Sequence, residues 1–431
     1  MKKTYAQKIL GLLLCALLLV PLTACGGSAS PAPETTQAPA EPQPEHTAAP
    51  AATPVPTAAA ENAQTAESAA ADAPEPTLSD APSIAGLTYV RTMERRYAVQ
   101  FDVHYYEGGY KFIDSHYDGL GYLLVPEGKT APAGLDPSIR VLQQPLKNIY
   151  LVASAAMSLF DAMDSLDVIK LSGVDADGWY VENAAEATRR GDILYGGKYS
   201  EPDYELLVDS DIDIAIENTM ILHTPKVIEM IEMLGIPVFI ENSSYEPHPL
   251  GRTEWIKLFA ALIDREEAAE AFFDNSVTVM DQISAFPNTG KTVAIFLIDT
   301  SGKAQVRSPS DYLSKMIDIS GGVNAFARLG EGDESSRANI NMTMEEFYAT
   351  AMDTDFLIYN ASGYSAGVNS IEKLLEMSSL LADCKAVREG NVWWLGPETY
   401  QRTDRIADLI GEMHMMLTGE DGETTFLHKM E

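Results

Sequence analysis

The chain of 431 residues contains 63 Asp and Glu residues and 30 Lys and Arg residues, which gives a formal net charge of −33. This balance excludes nucleic acid as an expected partner, because proteins of that class present a basic face to the phosphates. The chain has three cysteines, and because Cys384 alone lies in its body, the sequence excludes an internal disulfide and a thiolate metal cluster there.

Residues 1–24 are predicted to be a lipoprotein signal peptide. A basic start, Met-Lys-Lys, precedes an apolar run at 9–20 that is too short to span a bilayer. The sequence Leu-Thr-Ala-Cys then ends at Cys25 and fits a lipobox, in which the Cys receives the lipid. A plain signal peptide with a chance Cys is the alternative, but the Gly-Gly-Ser that follows fits lipidation. We therefore expect an extracytoplasmic protein anchored to the cell membrane through lipidated Cys25.

Residues 25–83 are rich in Ala, Pro, Thr and Glu and contain almost no large apolar side chain. Such a segment cannot bury enough surface to offset the entropy lost on ordering, and its prolines favour an extended chain. The sequence therefore predicts a disordered tether between the lipid and the folded body.

Residues 84–263 are predicted to form an N-terminal α/β lobe with added hairpins. Tyr, Val and Phe residues with turn signals across 87–126 indicate hairpin strands. From Asn148 onward, short apolar strands alternate with helices, a pattern typical of a parallel sheet with right-handed crossovers. The lobe ends in a helix whose apolar stripe runs from Trp255 to Leu262.

Residues 264–285 are predicted to form one long helix that links the lobes. Phe273 and Met280 recur at helical spacing along it, and Asp264 with Glu267 is interpreted as the capping pair that starts it. At 1.5 Å per residue this helix would be about 30 Å long.

Residues 286–431 are predicted to form a C-terminal α/β lobe, in which strands and helices alternate again. Its last strand is expected at 391–396, followed by the last helix. The fold class is therefore α/β: two lobes with largely parallel sheets, joined by one long backbone helix, with a ligand cleft between the lobes.

One unit of sequence occurs twice, at 204–219 and at 344–362. Each copy has an acidic helix, a short Asp-rich break and an apolar strand that ends in small polar residues. We interpret the repeat as the same structural unit in each lobe, with a core strand whose end opens into the cleft.

Residues at the strand ends are the candidates for ligand binding, because ligands of open α/β sheets bind beyond the carboxyl ends of the strands. Tyr and Trp provide rigid apolar contact with a polar tip, and Arg provides a forked donor for carboxylates. This mixture suits a large planar or aromatic ligand with acidic groups; the alternative for any one side chain is an ordinary place in the core or rim. The candidates are Ser154, Trp179, Lys198, Tyr199, Met220 and Tyr245 in the first lobe, and Arg307, Tyr312, Tyr364, Trp394 and Tyr400 in the second.

The sequence lacks the usual patterns for binding a resident metal or cofactor. No His-x-x-x-His or Cys-x-x-Cys pair and no Walker loop occurs. His223 and His248 follow strands singly and are interpreted as satisfied or solvent-facing rather than as ligands. We therefore expect no catalytic residue, no metal ligand and no cofactor.

Four segments together resemble the substrate-binding lipoproteins of ABC importers for ferric siderophores, haem and cobalamin. The sequence departs from that family at two places. Ile212 stands where the family usually has a Pro before the strand Asp of the first lobe, and Asp-Thr-Asp at 353–355 replaces the usual Pro-Asp pair of the second lobe. The resemblance covers nearly the whole folded body and implies two α/β lobes joined by one long helix. The segments are 201–218, 248–273, 316–326 and 390–410.

The resemblance also implies a docking site for the membrane permease. In this family one exposed Glu on each lobe pairs with Arg pockets of the permease. Position in the repeated unit indicates Glu205 for the first lobe and Glu345 for the second, with Glu346 as the neighbour that would take its place. The alternative is that these residues belong to solvated helix faces.

The expected function is capture of an iron complex of siderophore type and its delivery to an ABC permease and its ATPase. The bound ligand would be a metal chelate, the protein would be a monomer, and no bond would be made or broken. A cobalamin, corrinoid or haem receptor of the same family is the alternative. A free metal ion, a non-transport surface lipoprotein that binds a partner or polymer, and an enzyme on a similar frame are further alternatives.

Overall fold

The described chain begins with a sheet that precedes the alternating strands and helices. Its strands are β1 (Tyr89–Thr92), β2 (Phe101–Tyr106), β3 (Lys111–Ser115), β4 (Gly121–Val125) and β5 (Arg140–Gln143). They follow one another in that order across the sheet, and neighbours are antiparallel except for β4 and β5. The predicted hairpins are therefore confirmed, with β5 as an addition. The computed structural model describes residues 81–84, 86–329, 339–361 and 367–431, which belong to one compact unit, 71–431.

The first lobe is built on a parallel sheet. Its strands are β6 (Ile149–Leu151), β7 (Ile169–Ser172), β8 (Leu194–Tyr195), β9 (Gly197–Lys198), β10 (Glu201–Pro202), β11 (Ile214–Asn218) and β12 (Val238–Glu241). Its helices are α1 (Ser154–Ala162), α2 (Glu182–Arg190), α3 (Tyr204–Asp209) and α4 (Pro225–Met233). The sheet order is β12-β11-β6-β7-β8 and each of these pairs is parallel, whereas β9 and β10 form a separate antiparallel pair. This confirms the alternation predicted from the sequence.

Two helices lead from the first lobe to the second: α5 (Pro249–Ile263) and α6 (Glu266–Ser284). The prediction that Asp264 caps α6 was wrong. Asp264 ends α5 in the left-handed conformation with φ 58°, and the residue before α6 is Arg265, whose side chain makes no capping bond. The Asp264 carboxylate accepts instead from Lys111 Nζ of β3 at 2.7 Å. The carboxylate therefore pairs with a lysine of the first sheet and does not cap the helix.

The second lobe has a mixed sheet with a parallel centre. Its strands are β13 (Thr292–Ile298), β14 (Ala304–Arg307), β15 (Val323–Asn324), β16 (Asn339–Met342), β17 (Phe356–Asn360), β18 (Val392–Leu395) and β19 (Leu427–Lys429). Its helices are α7 (Tyr312–Ile319), α8 (Met344–Ala351), α9 (Ile371–Met377), α10 (Lys385–Glu389) and α11 (Ile406–Thr418). β17 lies between β13 and β18 and is parallel to both, while β14, β16 and β19 are antiparallel to their neighbours. The strand predicted at 391–396 is not the last one, because β19 follows α11.

One hydrophobic core runs through both lobes. It includes Val103 of the first sheet, Phe160 of α1, Trp255 of α5, Phe273 of α6 and Ile358 of β17, all of which are buried. Smaller clusters cover the outer faces of the two lobe sheets. Because close-packed interiors transmit strain, the lobes are coupled through this core. No helix in the described part of the chain is both long enough and apolar enough to cross a membrane.

Candidate functional site

The repeated sequence unit occupies the same place in each lobe. In the first lobe α3 leads into β11, which lies between the parallel strands β6 and β12. In the second lobe α8 leads into β17, which lies between the parallel strands β13 and β18. The two copies therefore present equivalent strand ends, where ligands of parallel sheets bind.

The two glutamates predicted for docking also occupy equivalent positions. Glu205 is the second residue of α3 and Glu345 is the second residue of α8, and both are exposed. Asp203 caps α3 by accepting from the N–H of Leu206 at 3.0 Å. Glu346 instead closes the capping box of α8, since its carboxylate accepts from the N–H of Thr343 at 2.8 Å. Glu345 is therefore the better of the two neighbouring candidates.

Three of the first-lobe ligand candidates lie in the first turn of chain after a core strand. Ser154 is the half-buried first residue of α1, directly after β6. Met220 and Tyr245 lie in single 3-10 turns after β11 and β12, with exposures of 44% and 36%. Tyr245 packs against Tyr117 from the first sheet, with their ring centroids 5.3 Å apart. All three therefore stand at the carboxyl edge of the first-lobe sheet.

The other first-lobe candidates lie farther along the same edge. Trp179 follows β7 and is 7% exposed, and its indole N–H has no hydrogen-bond partner among the described residues. Lys198 is exposed and pairs with Glu201 at 3.0 Å, while half-buried Tyr199 follows it. Trp179 is thus mainly a core residue, and Lys198 already has a counter-ion of its own.

Three of the second-lobe candidates form one cluster. Arg307 ends β14, Tyr312 begins α7, and Tyr400 lies in a 3-10 turn after β18. Arg307 Nη1 lies 3.5 Å from Asp311 Oδ2. Burial opposes the charge of Arg307, yet its pKa is raised by Asp311, Tyr312 and Tyr400. Burial also raises the pKa of the Asp311 carboxyl, and Arg307 opposes that rise.

Trp394 lies apart from this cluster. Its ring packs against His428 of β19 with centroids 4.6 Å apart, and His428 Nε2 lies 3.5 Å from Glu398 Oε1. Sequence reasoning missed His428 because β19 was not predicted. Tyr364 and the lipidation site Cys25 fall outside the residues that the structure describes.

A hydrolase-like pattern at 363–367 was overlooked in the sequence. Gly363, Ser365 and Gly367 fit the spacing Gly-x-Ser-x-Gly that presents a nucleophile in α/β hydrolases. Residues 362–366 lie outside those that the structure describes. The pattern follows β17, the strand that the repeated unit places at the centre of the second lobe.

The two lobes touch beside the Arg307 cluster. The N–H of Tyr180 donates to Gln401 Oε1 at 2.7 Å, and Gln401 Nε2 donates to the carbonyl of Gly178 at 2.8 Å. Nearby, the N–H of Asp404 donates to Ser158 Oγ at 3.3 Å. These bonds bring the turn that carries Trp179 next to the turn that carries Tyr400.

The lobe contact also contains arginines that sequence reasoning missed. Arg402 pairs with Asp404 through two hydrogen bonds of 2.9 and 2.7 Å, and Arg405 Nε lies 2.6 Å from Asp408. Arg252 of α5 is 3% exposed, with its guanidinium carbon 4.4 Å from the centroid of the Tyr312 ring. Sequence reasoning had no signal for Arg252, because the burial of α5 throughout 249–262 is visible only in the structure.

The site's polar groups are suited to holding charge. Within the described residues no group of three His, Cys, Asp or Glu side chains is arranged to hold a metal ion. Guanidinium and phenol groups donate hydrogen bonds to anionic oxygens. The arrangement can therefore recognise the acidic groups of a ligand.

Two curated relatives from Methanocaldococcus jannaschii are similar over most of the chain, and no protein-family model matches. One uncharacterized lipoprotein is 27% identical over an alignment of 353 residues, and the match covers 78% of this chain and 86% of the relative. A second uncharacterized lipoprotein is 24% identical over 326 residues, covering 70% of this chain and 74% of the relative.

Solved structures show the same fold at low sequence identity. An ABC transporter substrate-binding protein from Listeria monocytogenes matches with a TM-score of 0.50 and 16% identity, over 64% of this chain and 99% of that one. A periplasmic heme binding protein from Pseudomonas aeruginosa gives 0.52 and 13%, over 66% and 98%. The triscatecholate siderophore binding protein FeuA from Bacillus subtilis, complexed with ferri-bacillibactin, gives 0.50 and 13%, over 64% and 94%. The chain therefore has the two-lobed α/β fold of the substrate-binding proteins of ABC transporters.

Proposed function

We propose that the protein is a lipid-anchored, extracytoplasmic solute-binding protein of an ABC importer. The observation that carries this proposal is the equivalence of Glu205 and Glu345. Each is an exposed carboxylate at the second position of a helix that precedes the central strand of its lobe. A receptor that must seat both lobes on a permease needs one such contact on each lobe.

The solute we propose is an iron complex of siderophore type. Support comes from the cluster of Arg307, Tyr312 and Tyr400, whose donors suit the anionic oxygens of an iron chelator. Support also comes from structural neighbours described as binding a triscatecholate siderophore and heme. Haem is the second candidate solute, because the Trp394–His428 pair adds an aromatic and an imidazole at the end of the second lobe. A corrinoid is the third.

The mechanism is binding without chemistry on the solute. The shared core and the Gln401 bonds restrict the relative movement of the lobes, so we expect modest closure. The lipid on Cys25 and the segment 25–83 would hold the receptor near its permease, and the loaded receptor would dock as a monomer through Glu205 and Glu345.

The test is a titration of a lipid-free form that begins at Pro76, within the compact unit 71–431. Ferric siderophores, haem and cobalamin are added in turn while tryptophan fluorescence is followed. We expect saturable quenching by a ferric siderophore at micromolar or lower concentration. Saturation by haem or cobalamin alone would replace the solute but keep the receptor. No response to any of the three, from protein shown to be folded by circular dichroism, would contradict the proposal.

A further inference from the structure

A small cavity lies where α5 of the first lobe meets the second lobe. Its wall includes Arg252, Tyr312, Thr399, Arg402, Arg405 and Phe426. The space inside it is small, about enough for one water molecule or one small ion.

The charges around this cavity do not balance. Arg402 has Asp404, Arg405 has Asp408, and nearby Arg307 has Asp311. Arg252 forms no ion pair within 4.0 Å in the described part of the chain, although Asp311 is near enough to interact with its charge, and its Nε–H has no hydrogen-bond acceptor there. The face of Tyr312 is the contact that its guanidinium makes.

This imbalance is costly in a buried position. Arg252 is 3% exposed, so water cannot replace the missing acceptor freely. A buried charge is tolerated when it is paired and hydrogen-bonded, and the attraction of an aromatic face compensates only part of the lost hydration. Among the described residues Asp311 is near enough to interact with the charge of Arg252, but this carboxylate already pairs with Arg307.

We propose that Arg252 binds a single small anion in this cavity, at the contact between the lobes. The cavity fits one halide ion or one carboxylate group, and it excludes a bulky anion. The anion would face Arg252 from the first lobe and Arg402 and Arg405 from the second, so it would hold the two lobes together. Its source is either a free inorganic anion or a carboxylate arm of a bound solute. The carboxylate arm rests on the proposed function, whereas a free inorganic anion does not.

The experiment compares melting temperatures of the full protein in sodium bromide, sodium acetate and sodium gluconate at equal ionic strength. Bromide probes a free halide, acetate probes a carboxylate, and gluconate is too large for the cavity. We expect bromide or acetate to raise the melting temperature of the wild type by about 2 °C or more over gluconate, as a site-specific ligand does. A rise with bromide indicates a free anion, and a rise with acetate alone indicates a carboxylate arm.

Two variants decide whether Arg252 is responsible. Arg252→Met removes the unpaired charge, so its melting temperature should be the same in all three salts. Arg190→Met is the matched control, because Arg190 is exposed and already pairs with Asp192 at 2.8 Å; it should respond as the wild type does. An equal response in the wild type and Arg252→Met would overturn the proposal.

A second measurement keeps the test valid if Arg252→Met folds poorly. Crystals of the wild type grown in bromide should show an anomalous scattering peak beside the Arg252 guanidinium. Crystals grown in acetate should show the density of an acetate ion at the same place. Absence of both, together with equal melting temperatures of the wild type in all three salts, would refute the anion site.

Discussion

The side-chain amide of Gln401 accepts a hydrogen bond from the backbone N–H of Tyr180 at 2.7 Å, across the boundary between the lobes. Its other end donates to the carbonyl of Gly178 at 2.8 Å. One amide therefore satisfies two backbone groups of a single first-lobe turn. Gln401 is 9% exposed, so these bonds are largely shielded from water.

Replacing this residue should loosen the lobe contact. Gln401→Ala leaves two backbone groups without partners, which we expect to lower the free energy of unfolding by about 1–3 kcal/mol. Small-angle X-ray scattering should show a larger radius of gyration. Gln143→Ala is the control, because Gln143 Nε2 donates to the Val125 carbonyl within the first sheet. An unchanged radius in Gln401→Ala would contradict the role of this bond in holding the lobes.

Charge reversal at the equivalent glutamates should abolish delivery without affecting capture. Glu205→Lys and Glu345→Lys are each expected to reduce cellular uptake of the iron complex at least tenfold. The reason is that each new lysine would face the positively charged Arg pocket expected on the permease. Solute affinity, measured by fluorescence quenching, should be unchanged. Glu229→Lys, a reversal at an exposed position on α4, should leave uptake intact. Equal uptake by all three variants would refute the docking role.

Glu217 should make the stability depend on pH. This residue of β11 is 0% exposed, and both of its carboxylate oxygens lack hydrogen-bond partners in the described part of the chain. Burial raises its pKa to about 8. Tyr150 of β6 and Tyr204 of α3 lie near enough for their pKa values to be raised by Glu217, after the larger effect of burial.

The sign of this dependence follows from proton binding. Between pH 4.5, the ordinary pKa, and about pH 8, the folded state keeps the Glu217 proton that the unfolded state has released. The free energy of unfolding should therefore fall as pH rises through this window, by up to about 5 kcal/mol. Glu217→Gln should lack this slope and be more stable than the wild type at pH 9 in urea titrations. Glu229→Gln should keep the slope; a wild-type slope in Glu217→Gln would exclude Glu217 as its cause.

Glu254 should be essential for attaching the first sheet. Its buried carboxylate accepts from the backbone N–H groups of Tyr97 and Ala98, each at 2.8 Å, and lies 3.3 Å from Lys257 Nζ. Glu254→Ala leaves these backbone donors unpaired and removes the buried one of the two carboxylates that pair with Lys257, so we expect a loss of about 3–5 kcal/mol in urea unfolding. Glu270→Ala removes the half-exposed second partner of Lys257 and should cost less than about 1 kcal/mol. Similar losses in the two variants would contradict this account.

Periodicity predicted the parts of the fold whose signals are local. The strands β11 and β17 are apolar runs that follow helices, so their place in the two lobes could be predicted from sequence. The strands β14 and β19 were missed because they have only four and three residues. In addition, β19 pairs with β18, from which α11 separates it in sequence. Asp264 was misassigned because its partner, Lys111, is remote in sequence.

The site was less predictable than the fold. Strand-end reasoning named Arg307, Tyr312 and Tyr400 as separate candidates, and the structure places the two tyrosines near enough to Arg307 to interact with its charge. Their role in binding stays a prediction. The same reasoning could not find Arg252, because nothing local shows that α5 is covered on every side. The assignments of Tyr364 and Cys25 stay predictions, as they lie outside the described residues.

The bond between Ala98 and Glu254 joins residues 156 positions apart in sequence. Contacts of such separation form late, since a long loop must close before they stabilise anything. During synthesis, strands β1–β5 are therefore complete well before α5 exists, and the side of the sheet that packs on α5 stays uncovered. The interval between these two events is the stage at which the nascent chain is most open to proteases and to chaperones, and it ends when α5 is in place.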